Sequence, residues 1–252
     1  MSRRLVTALI VTGALSGLLA AVALRPNLPS ALPKVLGGSD SGAKAVSATS
    51  DPFVHIVAKA IGKELPIYRD ASDSAPPTMK LPNPGEYGVP VVVLVQTEKG
   101  GWLNVLLPVR PNGSTGWIRA TDVTTSKHEF RIEVELSAHR LTVYHRDGVF
   151  LQESVGVGRG PTPTPLGVFY TKELLQPPNP NTAYGAYAYG LSGYSNVLTD
   201  FAGGDGIVGI HGTNDPATLG TDVSHGCIRM SNAGITRLAK SLPLGVPVVI
   251  RP

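Results

Sequence analysis

Two stretches decide how this chain is read: Ile207-Val208-Gly209-Ile210-His211-Gly212-Thr213, and Val223-Ser224-His225-Gly226-Cys227-Ile228-Arg229-Met230-Ser231-Asn232. The first is a short apolar run that reads as a buried strand, with a histidine at its end. Residues 214–222 contain the breakers Pro216 and Gly220 and read as a loop. A hairpin-like return across this loop brings the second stretch beside the end of the first. Residues 233–241 then read as a short helix, and Pro247-Val248-Val249-Ile250 as a closing strand.

Cys227 is the single cysteine of the chain. A thiol is a poor nucleophile until it loses its proton, and a nearby imidazole can take it. His211 lies sixteen residues before Cys227, and His225 two before. Gly226 leaves room for a substrate carbonyl and lets successive backbone N–H groups converge on one point, as an oxyanion hole requires. A helix just after Cys227 is expected to lower its pKa through the positive end of the helix dipole. Two alternatives compete with catalysis. Cys227 could be a small buried apolar residue, or His211, His225 and Cys227 could bind zinc. Zinc is disfavoured because no Cys-x-x-Cys or His-x-x-x-His pair is present. No metal or cofactor is expected.

Upstream, Ile132, Val134 and Leu136 alternate with Arg131, Glu133 and Glu135, which marks a half-buried strand. Turns at Ser137-Ala138-His139 and Arg146-Asp147-Gly148 separate the strands that follow, giving successive antiparallel hairpins. Thr162-Pro163-Thr164-Pro165-Leu166-Gly167 interrupts the sheet. Residues 176–206 are rich in Pro, Gly and Tyr, with Tyr184, Tyr187, Tyr189 and Tyr194 among small residues. They read as one long loop, either a lid over substrate or an ordered structural loop.

Residues 53–124 carry short strands and turns, with the pairs Gly101-Trp102 and Gly116-Trp117, and resemble a bacterial SH3-like barrel. The two Trp residues serve either core packing or wall binding. Residues 124–128 read as a polar connection to the second domain, 129–252. Residues 25–52, rich in Pro, Ser, Ala and Gly, read as a linker. In residues 1–24, Arg3 and Arg4 precede an uncharged run, which is the pattern of an export signal or a single membrane anchor. Charged residues make up 16% of the chain and the net charge is +4, with no dense basic cluster, which argues against a nucleic-acid partner.

The segment 210–232 resembles the signature of the YkuD-like L,D-transpeptidase catalytic domain family. That family pairs His-Gly with a later Ser-His-Gly-Cys, often followed by Ile-Arg-Met and Asn. The Thr-Pro-Thr-Pro-x-Gly segment matches it too. One departure is Gly234, where many members carry Asp. The resemblance implies a mainly β fold, with a β-sandwich catalytic domain and a short helix after the nucleophile. It also implies an exported cell-wall enzyme whose partners are peptidoglycan stem peptides, as donor and acceptor. In these roles Cys227 attacks a stem carbonyl and forms a thioester, His211 is the base, and the Gly212 carbonyl orients its ring. The N–H groups of His225, Gly226 and Cys227 hold the oxyanion. Arg229, Ser224, Tyr187, Tyr189 and Asn232 are candidate substrate contacts, with a structural ion pair as the alternative for Arg229 and a loop hydrogen bond as the favoured alternative for Ser224. An L,D-carboxypeptidase, or a wall-binding protein with an inactive site, would share most of these features.

Overall fold

The structure is a computed structural model and describes residues 51, 53–200 and 204–252. The expected export segment, and the expected linker except Asp51, lie outside the described residues. Among the described residues no helix is long and apolar enough to cross a membrane.

The first part of the chain is all β. Its strands are β1 (His55–Ala60), β2 (Glu64–Ile67), β3 (Met79–Pro82), β4 (Val92–Lys99), β5 (Trp102–Leu106), β6 (Thr115–Arg119) and β7 (Val123–His128). Five of them form one antiparallel sheet in the order β6-β5-β4-β1-β7, and β2 pairs with β3. The first Gly-Trp pair follows from a tight turn: Gly100 and Gly101 both adopt positive φ (54° and 84°) between β4 and β5. The second follows from close approach, because a Cβ on Gly116 would collide with the Ile67 side chain. Trp102 is buried and meets Tyr68 edge to face at 5.0 Å. Residues 124–128 are not a connection. They run the length of β1 in β7, with His55 opposite His128 and Ala60 opposite Val123.

The second part contains β8 (Arg131–Glu135), β9 (Arg140–His145), β10 (Gly148–Ser154), β11 (Val157–Gly158), β12 (Gly167–Leu175), β13 (Ala188–Tyr194), β14 (Ile207–His211), β15 (Asp222–Ser224), β16 (Ile228–Arg229), α1 (Asn232–Ser241) and β17 (Pro247–Arg251). Eight of these strands form one mixed sheet, in the order β10-β9-β8-β17-β12-β13-β14-β16. The fold is mainly β, with the short helix where the sequence suggests it. The expected long loop 176–206 is corrected here. Its middle is β13, fully buried between β12 and β14. Small residues and tyrosines look loop-like in sequence, but here they form a strand with close neighbours on both faces.

One face of this sheet packs on a core that includes Ile132, Leu141, Phe169, Leu191, Ile210 and Ile228, together with Ile235 and Leu238 of α1. The other face meets the N-terminal sheet. Tyr170 of β12 lies wholly inside the core of that first unit, beside Ile56, Val93 and Ile118. Polar contacts reinforce the junction. The Arg110 guanidinium donates to the carbonyls of Ser195, Leu198 and Asp205 at 2.7–3.1 Å. Asn112 pairs with both backbone groups of Tyr194. His128 Nε2 donates to the Gly245 carbonyl at 3.3 Å, since its Nδ1 accepts from Phe130 N–H.

The Tyr170 hydroxyl is buried with no hydrogen-bond partner among the described residues. An unpaired buried hydroxyl costs about 1–3 kcal/mol, so Tyr170→Phe is expected to leave stability equal or higher. Tyr170→Ala is expected to lower it by about 3–5 kcal/mol. Urea unfolding of both variants checks the pair, and a clear loss in the Phe variant contradicts the assignment.

Candidate active site

The site is built on a two-residue parallel ladder. Ile210 of β14 pairs with Ile228 of β16, and His211 with Arg229. Met230 N–H closes the ladder on the His211 carbonyl at 2.9 Å. Ile210 and Ile228 are both fully buried in the core. Successive side chains of a strand alternate between faces, so His211 and Arg229 stand on the opposite face. One step back, the same register puts Cys227 beside Gly209, whose N–H hydrogen-bonds to the thiol. Cys227, His211 and Arg229 therefore share one face within two neighbouring strands.

His211 is 4% exposed, whereas Cys227 is partly open to solvent. The His211 Nδ1 lies 2.7 Å from the Gly212 carbonyl. A carbonyl only accepts, so Nδ1 carries the proton and Nε2 keeps its lone pair. Tyr184 packs against the ring with centroids 5.0 Å apart. Burial pushes His211 down to about 4. The Gly212 and Ala183 carbonyls oppose this, and the Arg229 charge adds to it. Burial also raises the Cys227 thiol above its ordinary value, against the pull of Gly209 N–H and Arg229. At neutral pH the resting pair is thus thiol and neutral imidazole. The expected lowering of the thiol by a following helix does not occur. β16 intervenes, and α1 begins only at Asn232, beyond the reach of a dipole effect confined to the first turn.

The loop before Cys227 accounts for its own sequence. Gly226 has φ +117°, a region that side chains rarely enter. Its N–H donates to Ser224 Oγ at 3.0 Å, and the Ser224 hydroxyl donates to the Cys227 carbonyl at 2.5 Å. One expectation is corrected by this: the Gly226 N–H is committed to Ser224 and does not point to an oxyanion. Of the two readings of Ser224, the geometry fits the loop hydrogen-bonder and not the substrate contact, since the side chain is 1% exposed. Cys227 N–H has no acceptor among the described residues. His225 Nε2 lies 2.6 Å from an Arg159 guanidinium nitrogen. A guanidinium only donates, so the His225 lone pair is engaged and the ring is a poor base. Burial, Arg159 and Arg229 also hold its pKa below the ordinary histidine value.

Two more candidate contacts are corrected. Tyr189 is fully buried, and its hydroxyl donates to the Leu238 and Leu242 carbonyls at the end of α1. Alternation on β13 turns it away from the Cys227 face. Asn232 spends its amide on the backbone: Oδ1 accepts from Ala186 and Thr213 N–H, and Nδ2 donates to the Thr213 carbonyl. It clamps the segment that carries Gly212, where an added Cβ would collide with Asn232 Oδ1. The His-Gly pair therefore needs glycine for space. Tyr187 is half-buried, and its carbonyl accepts Gly212 N–H at 3.1 Å. Arg229 has no carboxylate partner among the described residues, and its Nε is buried without a hydrogen bond. Gly234 has a structural reason. The Glu153 carboxylate lies against it, in the space a Cβ would need, and accepts from the α1 N-cap Ser231. A glutamate from β10 supplies the negative charge that Asp would bring to this helix start. Thr164 enters the sequence reading only as part of a motif. It is buried, and its Oγ1 accepts Gly158 N–H, tying the Pro-rich loop to β11. Among the described residues, no group of three His, Cys, Asp or Glu could hold a metal ion.

Residues 129–250 match the family model of YkuD, the L,D-transpeptidase catalytic domain. This segment is thus similar to the YkuD family over just under half of the chain. The chain is 37% identical over 123 residues to the YkuD protein of Bacillus licheniformis, covering 49% of this chain and 66% of that protein. It is 36% identical over 121 residues to YkuD of Bacillus subtilis, covering 48% and 65%. The match thus spans just under two thirds of these relatives' own lengths. Among solved structures, a cysteine-to-serine variant of the Enterococcus faecium L,D-transpeptidase is 26% identical, covering 51% of this chain and 53% of that one, with a TM-score of 0.39.

His211 and His128 are each driven down to about 4 by burial, from an ordinary 6.5. Between these values the unfolded chain binds more protons than the folded one. Stability is therefore full above about pH 6.5 and falls as pH drops towards 4, by roughly 3 kcal/mol for each ring. Calorimetry from pH 7 to 4 is expected to show Tm falling through this window, and a flat Tm contradicts it. Tyr189→Phe is expected to cost about 1–2 kcal/mol in urea unfolding and to leave reaction of Cys227 with a thiol reagent unchanged.

Proposed function

We propose that this protein is a peptidoglycan L,D-transpeptidase that works through a Cys227 thioester. The observation that carries the reading is the shared face of Cys227 and His211 on adjoining strands, with Nδ1–H of His211 on the Gly212 carbonyl, which leaves the ring's lone pair on Nε2. The match of residues 129–250 to the L,D-transpeptidase catalytic domain model supports the substrate class.

In this mechanism a stem tetrapeptide lies over the partly open thiol. His211 Nε2 takes the Cys227 proton as the sulfur attacks the carbonyl between the third residue and D-Ala. The buried, neutral imidazole costs little until substrate is present. The negative charge that develops on the carbonyl oxygen is met by Cys227 N–H and by the Arg229 field. His211 then returns the proton to the leaving D-Ala amine. A side-chain amine of a second stem attacks the thioester, and His211 takes that amine's proton as the new amide forms. Water in place of the amine would give an L,D-carboxypeptidase by the same acyl-enzyme. The N-terminal β unit is read as an SH3-like module that orients the catalytic domain on the wall, and the chain as an exported, wall-located protein.

Incubation of the full chain with a tetrapeptide stem, followed by intact mass, tests this reading. A gain equal to the stem minus D-Ala is expected, absent in Cys227→Ala. No adduct and no released D-Ala from the parent protein would overturn it. His211→Gln is expected to slow acylation by about two to four orders of magnitude. With His211 at about 4, the acid limb of the acylation rate is expected near that pH, since the base is lost only below it. An acid limb near 6.5 contradicts a buried neutral base. Cross-linked dimer formed on addition of an amine acceptor separates transfer from hydrolysis.

A further inference from the structure

A row of residues crosses the sheet from the thiol to the junction between the two units. Cys227 stands beside Gly209. Gly209 pairs with Gly190 of β13, and Gly190 with Glu173 of β12. Paired residues on neighbouring strands point to one face, so Glu173 and Cys227 share a face with only two glycines between them. Nothing rises from the floor between them except the Glu173 side chain itself. Its Oε1 occupies the space that a Gly190 Cβ would fill, so the carboxylate leans across Gly190 towards the thiol. Two strand spacings separate Gly190 from Cys227, about 10 Å.

Glu173 is 5% exposed and lines a cavity of about 230 Å³ at the junction, together with Lys172, Glu86, Val91, Pro108 and Tyr194. Lys172 Nζ lies 3.2 Å from Glu173 Oε1. The second oxygen has no hydrogen-bond partner among the described residues. Glu86 and Asp205 add negative charge around it. Arg110, which donates to the carbonyls of Ser195, Leu198 and Asp205, offsets part of this charge at the Asp205 end. A buried carboxylate in such surroundings favours a cation. Beside this row Tyr184 packs against the His211 ring.

We propose that Glu173 is a specificity-determining residue that binds the side-chain ammonium of the diamino acid at the third position of the donor stem. This deepens the transpeptidase reading and rests on it. The lengths agree. A four-carbon side chain carries its nitrogen roughly 6 Å from its Cα. With the bond to the reacting carbonyl and one hydrogen bond, it spans about 10 Å. The two glycines leave the floor between Cys227 and Glu173 without side chains, and the Glu173 carboxylate, with Lys172 on its Oε1, ends the row. The same ammonium could belong to an acceptor stem. The donor is favoured because the row starts at the sulfur, to which the donor carbonyl becomes bonded.

The test uses two tetrapeptides that differ only at the third residue, lysine against norleucine, so that ammonium is replaced by methyl at equal length. Their binding to the full-length Cys227→Ala protein is measured by calorimetry, and acylation of the parent protein by intact mass, with no acceptor present. At least tenfold tighter binding of the lysine stem is expected, with the ratio falling to near one in Cys227→Ala/Glu173→Gln. Equal binding of the two stems, which needs no change at Glu173, overturns the proposal. So does a preference that survives Glu173→Gln, or one that appears only when an amine acceptor is added. A preference in binding without acylation of the parent protein sustains the ammonium site and sinks the transpeptidase reading.

Discussion

The two-residue parallel ladder between β14 and β16 is the contact on which the site depends. It is short because its flanks are turns, and it is firm because Ile210 and Ile228 are sealed in the core. A slip of one residue would send Cys227 to the core face and Ile228 to solvent. Burial of two isoleucines therefore fixes the position of a thiol that makes little packing contribution of its own. Asn232 and Ser224 extend the same principle, since each satisfies backbone groups of the turns that carry His211 and Cys227.

Enclosure sets the chemistry of the pair. Each ring or sulfur is held in the uncharged form by loss of water, and the nearby Arg229 lowers both the thiol and the imidazole. A positive charge next to the pair favours thiolate but opposes imidazolium. In the proposed reaction, proton transfer is then balanced within the site until a substrate brings a developing negative charge for Arg229 to meet. The same guanidinium, free of a carboxylate among the described residues, is suited to a carboxylate on the substrate.

Much of this is legible in residue patterns. The alternation in residues 131–136 and the turns at 137–139 and 146–148 mark β8 to β10 well, because one-sided burial leaves a period of two. Cys227 and His211 stand out because a lone thiol near two histidines needs a reason. What the pattern hides shares one cause, which is contact between residues distant in sequence. β13 is hidden among small residues and tyrosines, since its closeness to β12 and β14 is a property of the sheet. Tyr189 reads as a lid aromatic, yet its hydroxyl sits at the end of α1. Glu153 and Gly234 belong to one device, yet lie eighty-one positions apart, and only the fold joins them. Glu173 gives no signal, because its row to Cys227 needs three pairings to be known.

Tyr170 carries a further consequence. The family segment begins at residue 129, yet an aromatic ring from inside it completes the core of residues 55–128. The two units are therefore not interchangeable beads. Cutting the chain at that boundary would strip the ring and the acidic junction of their cover and open a hole in the other half. Here the boundary of inheritance and the boundary of autonomous folding do not coincide, and any exchange of the first unit for another must bring its own socket for Tyr170.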